Sequence, residues 1–350
     1  MRHRSIILVG ALLLLVAVAA VLGAGAVLGG STASARTADP VVLTVAGNGQ
    51  TKTFTLAELE ALPAYTGYSG LKNSAGTITA PTEVKGVKLS DLLALVGGFT
   101  SDQSVDVTAS DNYGMTFLYD EVASGSGITM YNGTTGDVEA AKAPVSLVVT
   151  YEDNYLPIPP APDGDGPQRL AVAQETNENQ VADGHLMVKW VSNVTIRGEV
   201  KDWSVKMTGL RIKGKRQTYT LDRESYESCA TPGCHGSSWV DPATTKAWSG
   251  VPLFLCIGKI DGGKSHGGYG AYNEALARKG YRIKLTTAAG KSVLLSSKAI
   301  INNDKVILAD KLMGSELTDD YYPLRLMGPV KRVPTGKRIG QIVKIRMLPW

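Results

Sequence analysis

Three cysteines carry most of the chemistry this sequence can offer. Cys229 and Cys234 lie in Cys229-Ala-Thr-Pro-Gly-Cys234-His235-Gly236, and Cys256 follows. Thiolates select soft or redox-active metals, so Cys234 is a candidate metal ligand, with Cys229 the alternate. His235 directly after Cys234 gives a c-type haem reading with His235 as axial ligand, although the usual signature separates its cysteines by two residues rather than four. A third reading closes a small Cys229–Cys234 disulfide, and a fourth leaves two structural thiols. A zinc site needs about four ligands. Cys229, Cys234, His235 and the distant His266 would supply them. Cys256 sits in the apolar run Val251–Ile257 and is expected to pack as a small hydrophobe.

These residues fall in the second of two similar passages. Lys52-Thr53-Phe54-Thr55-Leu56 returns as Gln217-Thr218-Tyr219-Thr220-Leu221, and Gly86-Val87-Lys88-Leu89 returns as Gly250-Val251-Pro252-Leu253. Val107–Ser110 with Met115–Leu118 returns as Leu285–Ala288 with Val293–Ser296. Three blocks in one order predict two copies of a domain, over 40–200 and 210–350. The first copy has no counterpart to Cys229 or Cys234.

Local signals fill in the elements. Asn48-Gly49 predicts a hairpin turn, and Thr55 with Glu58 a capping box on a helix over 56–62. Ser90 is the expected cap of a helix over 90–96, and Asp222 of one in the second copy. Val188-Lys189-Trp190-Val191 reads as a closing strand, and Asp202–Gly209 as the boundary between copies. Many strands with short helices and no βαβ rhythm predict an α+β fold.

Composition excludes little, but it excludes something. The chain has 350 residues, 43% hydrophobic and 19% charged, with a net charge of +4. Arg2 and Arg4 account for half of that excess, so no clustered basic face points to nucleic acid. Residues 1–35 carry those two arginines and then an uncharged, apolar run. About 20 apolar residues span a bilayer, and Ala33-Ser34-Ala35 offers a small-residue cleavage site. The expectation is an exported chain, secreted or anchored outside the cytoplasmic membrane by residues 5–30. That segment would be its only membrane contact. His3 separates Arg2 from Arg4, so there is no consecutive twin-arginine pair.

Trp248-Ser249-Gly250-Val251-Pro252-Leu253 resembles the W-x-G-x-P-L step of the sulfite-oxidase-type molybdopterin-binding domain family. Tyr322-Pro323-Leu324-Arg325-Leu326-Met327-Gly328-Pro329 resembles its P-x-R-x-x-x-P segment. Pro167-Gln168-Arg169-Leu170 and Val188–Val191 resemble the same segment and the family's V-K-W-L strand in the first copy. The resemblance implies mixed sheet around a molybdopterin cofactor, with molybdenum held by the pterin and one protein cysteine, here Cys234. It further implies cofactor contacts from Arg325, His235, His266 and Arg338, beside Lys337. The implied reaction is oxygen-atom transfer or another two-electron redox step on a small-molecule substrate or redox partner. The first copy, lacking the cysteine, is expected to be cofactor-free. The alternative is a non-catalytic extracellular binding or cell-surface module that reuses the fold without cofactor.

Overall fold

The Asn48-Gly49 turn forms, with both residues at positive φ. It joins the antiparallel strands Val41–Gly47 and Gln50–Thr55. Thr55 then caps the helix Leu56–Glu60 through the expected reciprocal bonds with Glu58. The structure, a computed structural model, describes residues 39–139, 142–154, 166–212, 214–232, 234–262 and 272–350. The N-terminal segment 1–35 and His266 lie outside the described residues.

The fold is mostly sheet with short helices, the longest of the described helices having eight residues. No described helix is long and apolar enough to cross a membrane. Asp39–Trp350 pack as one compact unit.

Two five-stranded sheets use one plan. In the first, the hairpin strand Val41–Gly47 lies parallel to Val191–Gly198, which pairs antiparallel with Gln103–Ala109 and, through it, Gly114–Leu118. In the second, Ser204–Ile212 lies parallel to Ile342–Leu348, followed by Arg282–Thr287 and Ser292–Ser296. Strand order and pairing sense are the same in both. Alternation buries one face of each: Leu43, Val45, Val105 and Val107 in the first, Val205, Met207, Ile283 and Leu285 in the second. A fully buried aliphatic side chain contributes roughly 1.5–3 kcal/mol, so these faces hold the sheets in place.

Two further sheets carry the family-like motifs. One includes Ile78–Lys88, Val145–Glu152 and Arg169–Gln174 in that order. The other includes Ser237–Val240, Ala247–Pro252, Ile307–Leu312 and Arg325–Met327. Gly250 is fixed by packing, because a Cβ there would lie 2.1 Å from the carbonyl oxygen of Leu308. Gly86 meets the same obstacle at Val149, 2.2 Å away. The glycine of the W-x-G-x-P-L step therefore serves the sheet, in both passages.

Several local expectations are corrected. Ser90 lies inside the helix Leu89–Ala94, whose first flanking residue, Lys88, makes no side-chain cap. Within Asp202–Gly209, read as the boundary between copies, the strand Ser204–Ile212 begins. Val188-Lys189-Trp190 bends instead of extending, with Trp190 at φ 47°, and the strand starts only at Val191.

Candidate functional site

The site begins at the helix Arg223–Ala230. Asp222 caps it by accepting from the Ser225 N–H at 2.8 Å. Tyr226 pins it to the sheet beneath: its buried hydroxyl donates to the Leu308 carbonyl and accepts from the Val251 N–H. Thr231 leaves the helix in extended conformation, as a residue before proline should.

The chain then folds back sharply. The carbonyl oxygen of Thr231 accepts from the N–H groups of Cys234 and Gly236, and that of Cys229 accepts from the N–H of His235. Gly236 is required here, because a Cβ would lie 2.1 Å from the Ala230 carbonyl oxygen. The result sets Cys229 and Cys234 across one tight turn. Both are free thiols; Cys229 is half-buried and Cys234 exposed. Interaction with Cys234 pushes the Cys229 thiol down to about 6, against its burial, with Lys259 and His185 adding positive potential. Interaction with Cys229 and burial push Cys234 up. The pair thus gives up one proton readily and holds the other.

Cys234 and His235 open onto a cleft of about 210 Å³ with Gly236, Ser237, Pro252, Leu255 and Asp304. Drug-sized ligand pockets run to about 300–1,000 Å³, so this one suits a small group. Cys256 packs in the core as expected, its thiol pushed up to about 12 by burial. Among the described residues, no three His, Cys, Asp or Glu side chains are grouped to hold a metal ion.

The other expected site residues are elsewhere. Ser237, Gly250, Ala309 and Arg325 lie opposite one another across successive strands. Three strand spacings put the backbone of Arg325 about 14 Å from that of Ser237. The Arg325 guanidinium stacks 4.7 Å from the Trp248 ring centroid and 3.7 Å from that of Tyr321. Arg338 pairs with Asp241 at 3.1 Å, donates to the Gly328 carbonyl and stacks on Trp239. Lys337 donates to the Leu294 carbonyl. Arg169, in the strand position equivalent to Arg325, is fully buried against Asp153 at 2.7 Å. The structure brings together Cys229, Cys234 and His235, but not Arg325 or Arg338 with them.

A second cluster escaped the sequence reading. Arg223, 1% exposed, donates to the Thr116 carbonyl and to Glu227 at 2.9 Å. It also faces Asp202 at 3.6 Å and Glu121 and Glu224 at 3.7 Å. His185 stands 3.9 Å from Glu224, an ion-pair distance too long for a direct hydrogen bond. Burial pulls the His185 imidazole down, but Glu224 and neighbouring acids hold it above its ordinary value. Burial and a hydrogen bond to Glu224 push Glu121 up to about 9. Burial would raise Glu224 too, yet His185, Glu121 and Arg223 outweigh it and hold it at about 2. These two carboxyls therefore share one proton. Burial also lifts Glu227 to about 7, against Arg223. Only the Arg223–Glu227 spacing of four was visible in the sequence; Glu121 and His185 come from far along the chain.

The Tyr113 hydroxyl donates to the His185 carbonyl at 2.6 Å.

No family model matches the sequence, and no curated protein matches it. Among solved structures, the chain is similar to the crystal structure of the sulfane dehydrogenase SoxCD from Paracoccus pantotrophus, at 14% identity and TM-score 0.31. The match covers 72% of this chain and 58% of that one, less than two thirds of its length.

Proposed function

We propose that this chain is an exported, oxidoreductase-like protein whose redox centre is the Cys229–Cys234 thiol pair. The supporting observation is the tight turn that sets Cys229 and Cys234 across from one another, with Cys234 exposed on the small cleft. We further read the chain as a duplicated sulfite-oxidase-like scaffold. The shared strand order of the two five-stranded sheets and the equivalent positions of Gly86 and Gly250 support that reading.

The molybdopterin reading finds its thiol but not its cations. A pterin phosphate needs guanidinium or ammonium groups beside it. The described cleft lining holds no Lys or Arg. Arg338 is sealed by Asp241, and Arg325 is stacked between aromatic rings several strands away. The described residues do not fit that cofactor, so the sulfurs are left to carry the chemistry. The apolar segment within 1–35 and its small-residue end support export, into surroundings where a dithiol can oxidise.

The test is metal analysis of the purified full chain, together with a count of reactive thiols before and after oxidation by hydrogen peroxide. The expected result is no stoichiometric molybdenum or haem iron, and reversible loss of two thiols, mapped to Cys229 and Cys234. Molybdenum near one per chain that disappears in Cys234→Ala would overturn the reading in favour of the cofactor enzyme. Iron with a haem absorbance would overturn it in favour of the c-type haem. Thiols inert to peroxide, with no metal, would leave the non-catalytic binding module.

A further inference from the structure

The thiol pair has a direction built into it. Its inner side is the core against which Cys229 packs. Its outer side is the cleft, where Cys234 is exposed while Cys229 is half-buried. A reagent can therefore reach Cys234 first. Cys229 stands across the same tight turn, placed to follow.

Resting on the redox-pair reading, we propose that this cleft is a thiol–disulfide exchange site for low-molecular-weight disulfides, with Cys234 the attacking thiol and Cys229 the resolving thiol. The cleft walls suit one half of such a molecule. Pro252 and Leu255 offer apolar contact, while Ser237, His235 and Asp304 offer polar contact for a substituent on the carbon chain.

The exchange balances without any further reactant. With one proton shared across the pair, its passage from Cys234 to Cys229 leaves the exposed sulfur as the thiolate, which attacks one sulfur of R–S–S–R. The substrate S–S bond breaks, a Cys234–S–S–R bond forms, and the departing RS⁻ takes up that proton from Cys229. The Cys229 thiolate then attacks the Cys234 sulfur, expelling the second RS⁻, which takes the proton that Cys229 first lost to solvent. Two protein thiols are oxidised to one disulfide by two electrons, and one substrate disulfide is reduced to two thiols. Exchange of this kind depends on thiolate availability and on access; the proton shared between the two thiols bears on the first, and the exposure of Cys234 supplies the second.

The experiment treats the reduced full chain with cystine and, separately, with 2-hydroxyethyl disulfide, following intact mass and released thiol. Wild type is expected to end as the internal Cys229–Cys234 disulfide, releasing two small thiols per chain. Cys229→Ser should stop as a mixed disulfide on Cys234. Cys234→Ser should react at least roughly tenfold more slowly, because the remaining thiol is shielded. Cys256→Ser should behave as wild type. Wild-type rate in Cys234→Ser, or a wild-type product that stays a mixed disulfide, would overturn the proposal. Ready oxidation by peroxide with no reaction toward either disulfide would overturn the exchange proposal while leaving the redox pair standing. Failure with both kinds of oxidant would sink the two together.

Discussion

The guanidinium of Arg223 donates to the carbonyl oxygen of Thr116 across 2.7 Å, though the two residues are 107 positions apart. Thr116 belongs to the first five-stranded sheet, and Arg223 opens the helix that ends in the thiol pair. With the ion pair to Glu121, this bond ties the helix that ends at the two cysteines to the first half of the chain. Around it, Glu121, Glu224 and Glu227 compete for the same positive charge.

Removing that charge should be costly. Breaking a buried ion pair by deleting one partner typically costs about 3–5 kcal/mol, because the other charges are left uncompensated. Arg223→Met is expected to lower stability by that order in urea unfolding. Arg223→Lys should recover only part of it, since an ammonium cannot fork between Thr116 and Glu227. A change below about 0.5 kcal/mol in the methionine variant would mean the cluster is held by its surroundings instead.

Stability should also depend on pH in a defined direction. Glu121 has its folded value raised from 4.5 to about 9. Its contribution is therefore complete below 4.5 and is lost as pH rises toward 9, with a slope of at most about 1.4 kcal/mol per pH unit. Glu224 runs the other way. Its value is lowered from 4.5 to about 2, so its contribution is complete above 4.5 and is lost as pH falls through 2. Glu121→Gln keeps an acceptor for the Leu118 N–H and should flatten the alkaline limb. Urea midpoints at about pH 5 and about pH 9 decide this, and parallel curves for variant and wild type would rule Glu121 out as the proton holder.

Gly236→Ala tests the loop itself. The added methyl would meet the Ala230 carbonyl at 2.1 Å, so the turn must open. Destabilisation should be modest, about 1–3 kcal/mol, but formation of the Cys229–Cys234 disulfide should slow far more than the change in stability accounts for. An unchanged rate of disulfide formation in the alanine variant would show that the turn does not position the thiols.

The paired arginines give a contrast. Arg169→Ala removes the guanidinium paired with the buried Asp153 carboxylate and should destabilise by about 3–5 kcal/mol. Arg325→Ala removes stacking on Trp248 and Tyr321, worth about 0.5–2 kcal/mol, and should leave thiol oxidation unchanged. Loss of bound molybdenum in Arg325→Ala would instead restore the cofactor reading.

What the sequence made legible was mostly local. The Asn48-Gly49 turn, the Thr55–Glu58 capping box and the Asp222 cap are each written within a few residues, and each formed. The proximity of Cys229 and Cys234 was likewise open to a short-range reading, as one of four. Trp190 was misread because β-branched neighbours suggest a strand, whereas the backbone there turns to positive φ. Arg325 was assigned from a motif that says nothing about which aromatic rings would enclose it. The Arg223 cluster could not be seen at all, because Glu121, His185 and Thr116 reach it only through tertiary packing.

The parallel pairing of first and last strands has a consequence for the order in which the protein can be made. Val41–Gly47 waits for Val191–Gly198, and Ser204–Ile212 waits for Ile342–Leu348. Each five-stranded sheet thus consists of two separate hairpins until its final strand is added between them. A nascent chain leaving a ribosome or a translocation channel keeps those hairpin edges open for most of its emergence. A nonsense codon just before Ile342–Leu348 would leave the second sheet in two unjoined pieces.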